Sequence, residues 1–591
     1  MKITRPDQEQ SVSTIRTDDL GIDSLVAVEI RSWFMKSLQI NMPVLKILSG
    51  ISVNEIVDFA LQNLPREFVP NILEERVTDV EVYVPSSAEA SVPSSVDASM
   101  LGDQEVSDPS ESSDQDIELD NISSGSPQTS ITTCVSPILS MPTTLREESL
   151  SYAQSMFWFV KFFASDQTTL NQTVLFGIKG NLHLKGLEEA IAVVGWRHEI
   201  LRTAFFIDKL GQPVQAILDG PILYLEKRQV RHDYEISEEF AQMKSHHFRL
   251  EKGETLRMLL LSKSSTEHYL LIGCHHIIID KDSQQVFVSD LAKAFGNEPL
   301  GPEPLQYSAY ANKQREDYTS GRWSEQLSYW RRIFPDIPSP LPLLSLTELT
   351  NRTPLTNCNT HDVEFRLDAQ FSRKVQRVCR EYKVTPFHFY LSVLKVLLFR
   401  YTGTLDLSIG IVDANRVESD TLGSIGPFLN LLPLRFQLDP NQSFGAALEE
   451  ARKTAYSALS HSDPPFEVLL KELQVPRSAY HAPLFQAFIN YRQELQGRLP
   501  FGNCQMELLK FELGKTAYDI SLDIIGDLTD GCLLTIMVQQ TLYTKSNAQT
   551  LLNSYVELLK AFLQNPQLLI GKAPLFREAD VKNAIEIGRG W

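Results

Sequence analysis

The stretch CHHIIIDKDS, residues 274–283, joins two segments of different pattern. The apolar run at 269–274 before it is typical of a buried strand, and the apolar spacing at 283–295 predicts a helix. His275 and His276 therefore fall where a strand ends and a helix begins. An imidazole accepts a proton near neutral pH, and the carboxylate of Asp280 can brace the turn that aims it. The stretch predicts an acid–base site.

The composition limits the class of protein. The 591 residues carry a net charge of −19, which argues against nucleic acid as the main partner. Six scattered cysteines without a CxxC spacing favour a reducing compartment and argue against a metal site. No apolar run is long enough for a membrane span, and the first ten residues lack the apolar core of a signal peptide. We expect a cytoplasmic protein without a membrane partner.

Three zones follow one another along the chain. The first zone, residues 1–64, is short and has a helical pattern. The second zone, residues 65–144, is rich in serine, proline and acidic residues. The segment from Val77 to Leu145 holds twelve acidic residues and no lysine or arginine, a composition that predicts a disordered linker. From residue 145 onward strand-like and helix-like segments alternate, which predicts an α/β (α+β) fold, too long for one simple core.

A serine opens the helical pattern of the first zone. Residues 20–34 read LGIDSLVAVEIRSWF, with Asp23 and Ser24 where the helix begins. Helix N-termini favour anions such as a phosphodiester, although either residue could simply cap the helix. The stretch resembles the attachment site of acyl carrier proteins from fungal highly reducing polyketide synthases. The resemblance implies 4'-phosphopantetheine on Ser24, attached by a phosphopantetheinyl transferase. Because only 23 residues precede Ser24, we expect the carrier's first helix to be short or missing.

Further motifs surround the histidine pair. In chain order they are LSYAQSMFWF at 150–159, RHEILRTAF at 197–205, YSAYA at 307–311, IGPFLNLLPLR at 425–435, HSDPPFE at 461–467 and PLFQ at 483–486. The series resembles the condensation domains of nonribosomal peptide synthetases, especially those of fungal polyketide–peptide hybrids and of lovastatin-type synthases. That resemblance implies two lobes like chloramphenicol acetyltransferase, meeting in a V around a tunnel. We assign the N-lobe to 145–310 and the C-lobe to 311–591.

The same resemblance assigns roles to single residues. His276 is the expected working imidazole and His275 the residue that supports its loop, in an acyltransferase of the HHxxxD type. Asp280 is expected to form a structural ion pair with Arg416, and Asn430 to shape the tunnel roof.

Position 281 departs from the family pattern. Lys281 stands where the family usually has glycine, and a side chain there could distort the loop or crowd the tunnel. Because both histidines and Asp280 are retained, we expect a competent site.

The implied reaction condenses a carrier-bound polyketide acyl thioester with an aminoacyl thioester to form an amide in fungal secondary metabolism. Its partners are polyketide synthase and aminoacyl carrier domains and their small-molecule thioesters. Two alternatives stay open. A terminal condensation-like domain could aid polyketide processing or release without an amino acid. A non-catalytic module could instead dock carriers.

Overall fold

A computed structural model describes 51–64 and single positions between 30 and 47 (30, 33, 34, 38, 40, 42, 46 and 47). It also describes 143–586 apart from short gaps at 164–165, 221, 356, 417–418, 494–497, 513, 516, 528–530, 578–579 and 583–584. Ser24 and the linker predicted at 65–144, up to residue 142, lie outside the described residues. Within the described ranges no helix combines the length and apolarity that crossing a membrane requires.

The first large sheet carries the histidine pair on a central strand. It has six strands in the order β12-β13-β2-β7-β6-β5, antiparallel except for β5 with β6. The strands are β2 (Asn171–Lys179), β5 (Leu225–Gln229), β6 (Leu256–Ser262), β7 (Glu267–His275), β12 (Arg498–Phe501) and β13 (Cys504–Glu512). Seven of the nine residues of β2 and seven of β7 are buried, because helices cover both faces of the sheet.

The second large sheet is built from later strands. Its order is β10-β9-β11-β14-β15-β8, with β11 parallel to both neighbours. The strands are β8 (Thr360–Leu367), β9 (Asp406–Asp413), β10 (Asn430–Gln437), β11 (Ala487–Gln493), β14 (Ile520–Asp527) and β15 (Gly531–Gln539). A third sheet has the order β1-β4-β3, formed by β1 (Thr144–Ser149), β3 (Thr203–Ile207) and β4 (Pro213–Leu218).

The described ranges contain α-helices, most of which pack on the two large sheets. They are α1 (Val53–Gln62), α2 (Tyr152–Phe163), α3 (Leu184–Arg197), α4 (Asp233–Lys244), α5 (Lys281–Phe295), α6 (Tyr307–Thr319), α7 (Ser324–Ile333), α8 (Ala369–Tyr382), α9 (Pro386–Thr402), α10 (Phe444–Leu459), α11 (Phe466–Glu472) and α12 (Lys545–Gln564). Each large sheet has its own apolar core, the first with α2, α3 and α5, the second with α9, α10 and α12. The predicted mixed α/β architecture is confirmed.

Elements from the later half of the chain join the first sheet and its core. Strands β12 and β13, from the later half, extend the first sheet through pairing of β13 with β2. Ile425 and Phe428 likewise belong to the first core. Helix α6 runs across the boundary drawn after residue 310, so that boundary needs correction. The physical reason is that sheet pairing, not chain order, decides which core a segment joins.

The described part of the first zone forms a small apolar cluster. Ser52 and Glu55 make a reciprocal capping box at the start of α1. Met42, Ile47 and Ile56 form the buried centre of the cluster, and the ring of Tyr456 from α10 packs against it.

Candidate functional site: the histidine pair at the end of β7

The main chain places the histidine pair between strand and helix. The N–H of His276 donates to the carbonyl of Leu170 (2.9 Å). This bond extends the hydrogen-bond ladder between β2 and β7 by one residue beyond the end of β7. A short turn follows, and Asp280 caps α5 by accepting from the N–H of Ser283 (2.8 Å). An apolar strand, a turn and a capped helix thus hold the imidazoles at the C-terminal end of the central strand β7.

His276 has its two ring nitrogens in different environments. Nδ1 lies 2.7 Å from the carbonyl oxygen of Ile279, and a carbonyl only accepts, so Nδ1 carries the hydrogen. Nε2 has no hydrogen-bond partner among the described residues and keeps its lone pair. The ring stacks on Phe157 of α2, with centroids 4.5 Å apart. Burial lowers the pKa of His276, which favours the neutral imidazole, yet the residue remains partly exposed to solvent.

His275 has a different environment. Its side chain is buried, and Nδ1 accepts from the N–H of Ile277 (3.1 Å) within the turn. Burial, and then the neighbouring His276, lower the pKa of His275 to about 3. The ring is therefore neutral and engaged with its own loop, an arrangement suited to shaping the turn.

The carboxylate of Asp280 contacts two residues that lie far away in the chain, Arg416 and Phe428. Its Oδ1 lies 3.2 Å from Nη2 of Arg416, and its Oδ2 accepts from the N–H of Phe428 (2.8 Å). Both charged side chains are buried, and the guanidinium lies 4.4 Å from the centroid of the Phe428 ring. Arg416 also donates to the carbonyls of Thr421 and Ser424. The carboxylate is thus both a helix cap and one half of an interlobe ion pair.

Two side chains at this junction were not singled out from the sequence. Ser283 Oγ donates to the carbonyl of Gly426 (2.6 Å) and accepts from Gly426 N–H and from Arg416. The hydroxyl of Tyr307 donates to the carbonyl of Pro427 (2.8 Å). The spacing of Asp280 and Ser283, three residues apart, is a capping signal that could have pointed to the first. Tyr307 opens the motif YSAYA, but nothing in the sequence shows that its hydroxyl meets the main chain of Pro427.

Asn430 ties the start of β10 to the 462–466 loop. Its Nδ2 donates to the carbonyls of Ser462 (2.7 Å) and Pro464 (2.9 Å), and its Oδ1 accepts from Leu431 and Phe466 N–H groups. All of its hydrogen-bonding capacity is used within the protein, so it has no group left for a ligand.

Lys281 does not distort the loop. It is the first residue of α5, immediately after the cap, where the backbone is helical and any L-residue fits. The expectation that glycine is favoured at this position is therefore wrong for this chain. The side chain is half-buried, not packed in the core.

A second histidine pair lies elsewhere and differs in surroundings. His246 and His247 follow the end of α4, His246 facing Glu254 (2.9 Å) and His247 exposed. They lack the capped helix and the buried carboxylate of the first pair, which makes them a matched control for it.

Comparison with characterised proteins places the chain among fungal synthases. Hybrid PKS-NRPS synthetase poxE of Penicillium oxalicum is 37% identical over 625 residues, covering 98% of this chain and 15% of that protein. Hybrid PKS-NRPS synthetase pydA of Acremonium sp is 40% identical over 603 residues, covering 99% of this chain and 14% of that protein. The chain therefore spans about 15% of the length of these relatives.

Solved structures share the architecture. The condensation domain of the Monacolin K polyketide synthase MokA superposes with a TM-score of 0.67 at 29% identity, covering 72% of this chain and all of that one. The X-domain from teicoplanin biosynthesis has a TM-score of 0.65 at 23% identity over 73% of this chain and 99% of that one, which shows the fold alone. The two large sheets are thus the two chloramphenicol-acetyltransferase-like lobes of this fold.

The family model described as Condensation domain matches residues 145–583, which include the histidine pair, Arg416 and Asn430. The chain therefore belongs to the condensation domain family, a family of transferases, in the form found in fungal hybrid polyketide–peptide synthetases.

Proposed function

We propose that the protein forms an amide bond between a polyketide acyl thioester and the amine of an aminoacyl thioester. The observation that carries this proposal is the free Nε2 of a neutral, partly exposed His276. A lone pair in that position can accept a hydrogen bond, and then a proton, from an attacking amine.

The reaction balances without an outside reagent. The amine nitrogen forms a bond to the acyl carbon as the carbon–sulfur bond breaks. The amine proton passes to Nε2 of His276 and from there to the departing thiolate, which leaves as a thiol. Because Nδ1–H is held by the carbonyl of Ile279, the positive charge on the transient imidazolium is partly offset by that dipole.

The carriers are part of the proposal. Ser24 would bear the 4'-phosphopantetheine arm, attached by a phosphopantetheinyl transferase, and the aminoacyl arm would come from a second carrier domain. Support comes from the relatives, which are named as hybrid synthetases and align over almost all of this chain. Tethered arms make the encounter of the two thioesters nearly intramolecular, worth several orders of magnitude in rate.

A second candidate has its own support. The MokA domain, 29% identical to this chain, comes from a protein described as a polyketide synthase. A domain of that kind could aid polyketide processing or release without an amino acid. A non-catalytic docking role is the third reading, and an X-domain solved in a complex with OxyB resembles this chain in fold.

The test uses the full chain with acyl pantetheine and aminoacyl pantetheine thioesters, and amide formation is followed by mass spectrometry. His276→Ala should lower kcat/KM by about 10²–10⁴-fold, the usual contribution of a general base. His247→Ala, the exposed histidine of the second pair, should leave the rate unchanged.

A pH profile separates the readings further. Because the pKa of His276 is lowered, the acid limb that His276→Ala removes from kcat/KM should lie below pH 6.5. A second rise near pH 8, shared by both proteins, reports loss of the proton from the acceptor amine, whose pKa is about 7.7–8. Hydrolysed acyl chains in place of amide would favour the release function. Equal amide-forming rates for His276→Ala and the unaltered protein would remove His276 from the chemistry, and no amide above the uncatalysed rate would leave only docking.

A further inference from the structure

Two glutamines meet beside the strand that carries the histidines. Nε2 of Gln284, on α5, donates to Oε1 of Gln172, on β2, across 112 positions of the chain. Gln172 is 1% exposed, and within the described part of the chain its Nε2 has no hydrogen-bond partner. Folded proteins leave few such donors unpaired, because burying an N–H without an acceptor is unfavourable. An acceptor from outside the chain would explain this donor.

The register of the two strands places this amide near His276. Gln172 pairs with Cys274, and the N–H of His276 continues the ladder at Leu170. Residues two apart on a strand share a face, so Gln172, Cys274 and His276 project to the same side of the sheet. Gln172 and His276 are then diagonal neighbours, with Cα atoms roughly 7–8 Å apart, within reach of a long side chain.

The face of the first sheet that carries Gln172 and Cys274 is also the face on which His276 would act. Cys274 belongs to the apolar core that includes Phe157, whose ring stacks on His276, and Phe287 of α5. The opposite face, with Leu175 and Leu271, packs on α4. The amide therefore lies between β2 and α5, next to the place where His276 would meet the thioester.

The Cys274 thiol beside Gln172 does not compete with the Gln172 side-chain amide as a hydrogen-bond donor to a ligand. Cys274 directs its Sγ–H to the carbonyl of Gln172 at 3.9 Å, and burial raises the pKa of this thiol to about 12. The thiol is neutral and serves as a small apolar contact. Oε1 of Gln172 is held by Gln284, which orients the amide so that the free Nε2 is presented in a fixed direction.

We propose that Gln172 is a specificity-determining residue, whose Nε2 donates to an oxygen atom carried by the acyl chain close to its thioester. The protein would then prefer acyl donors with an oxo group at the third carbon over fully saturated ones. This inference rests on the proposed function, because it takes His276 as the point where the thioester lies. A hydrogen-bonding site selects strongly, since an analogue that lacks the oxygen leaves a buried donor unpaired.

The experiment compares 3-oxooctanoyl and octanoyl pantetheine as donors for the full chain, with one aminoacyl thioester as acceptor. We expect kcat/KM to favour the oxo donor by about 10-fold or more, mainly through KM, because the contact forms when the donor binds. Gln172→Leu should bring the ratio close to one, and Gln284→Met, which frees the Gln172 amide, should lower it. Gln285→Leu, on the exposed face of α5, should keep the ratio.

A ratio that stays high in Gln172→Leu, or a ratio near one in the unaltered protein, would overturn the proposal. Thermal unfolding checks that each variant is folded. If the leucine variant is not, Gln172→Glu keeps the shape but replaces the donor by an acceptor and should lose the preference as well. If the folded, unaltered chain forms no amide from either donor, the proposed function fails. The dissociation constants of the two donors, by calorimetry, then give the same comparison, and equal values would reject the role of Gln172.

Discussion

Asp280 and Arg416 stand 136 positions apart in the chain and form a buried ion pair, with Oδ1 3.2 Å from Nη2. The same carboxylate caps α5 and accepts from the main chain of Phe428. One side chain therefore fixes the start of the helix after the histidines and the segment that crosses from the other lobe. The position of His276 depends on a contact that no local pattern creates.

Arg416→Met should destabilise the protein. The change leaves the Asp280 carboxylate buried without its guanidinium, which typically costs about 3–5 kcal/mol of the free energy of unfolding. The melting temperature should fall clearly, and Asp280→Asn in the same chain should recover part of the loss. Lys185→Met, which removes an exposed ion pair with Glu189, is the control and should leave the melting temperature unchanged. Equal melting temperatures for both single variants would contradict the buried pair.

His388 should make the protein acid-sensitive. The residue is buried at the start of α9, where Nδ1 accepts from Thr385 N–H (3.1 Å), and burial lowers its pKa to about 3. Between pH 6.5 and 3 the unfolded chain binds a proton that the folded chain does not. Stability therefore falls as the pH falls, by up to roughly 1.4 kcal/mol per pH unit for one such histidine.

The measurement is urea unfolding of His388→Gln and of the unaltered chain from pH 7.5 to 5. The variant should lose less stability on acidification, since glutamine does not titrate. His247→Gln, an exposed histidine, supplies the control and should follow the unaltered chain. A variant that loses as much stability as the unaltered chain would show that His388 is not the acid-sensitive group.

Gly426→Ala should disrupt the junction of the two lobes. A Cβ at this position would lie 1.9 Å from Cδ2 of Tyr307, whose ring is buried and whose hydroxyl is bound to Pro427. Overpacking of this kind costs about 1–3 kcal/mol or more, because ring or backbone must move. Gly423→Ala, where the nearest atom is 3.9 Å away, is the matched control. Thermal unfolding distinguishes them, and a melting temperature as high as that of the control would argue against the close approach.

Lys281→Gly should not improve the enzyme. Because Lys281 opens α5 with a helical backbone, glycine there would cost about 0.5–1 kcal/mol of stability through its greater freedom when unfolded. Lys281→Ala should avoid most of that cost. Amide-forming rates measured for both variants test the point. A marked rate increase in the glycine variant alone would revive the idea that lysine hinders the loop.

Ser24 should accept a phosphopantetheine group. Incubation with a phosphopantetheinyl transferase and coenzyme A should raise the mass of the full chain by one such group, and Ser24→Ala should gain nothing. Peptide mapping identifies the modified residue. An unmodified chain under conditions that modify a known carrier would remove the carrier from the proposed function.

Local pattern accounts for the elements around the site. The apolar run before His275 predicted β7 because a strand buried on both faces is continuously apolar. The spacing after Asp280 predicted α5 because burial on one face of a helix leaves a periodic trace in the sequence. The mixed α/β class followed from the same alternation. Lys281 was misjudged because the family's glycine was taken as a demand of the backbone, whereas the residue after the helix cap has ordinary helical angles.

The sequence by itself determined that His275 and His276 stand at the end of a buried strand, that a helix follows Asp280 and that the motifs around them are those of a condensation domain. Only the tertiary structure decided that β12 and β13 join the first sheet, that Gly426 meets Tyr307 and that Gln172 shares a face with His276. The reason is physical. Local periodicity records which face of an element is buried, but contacts between residues a hundred or more positions apart depend on strand order and register, which the whole core selects together.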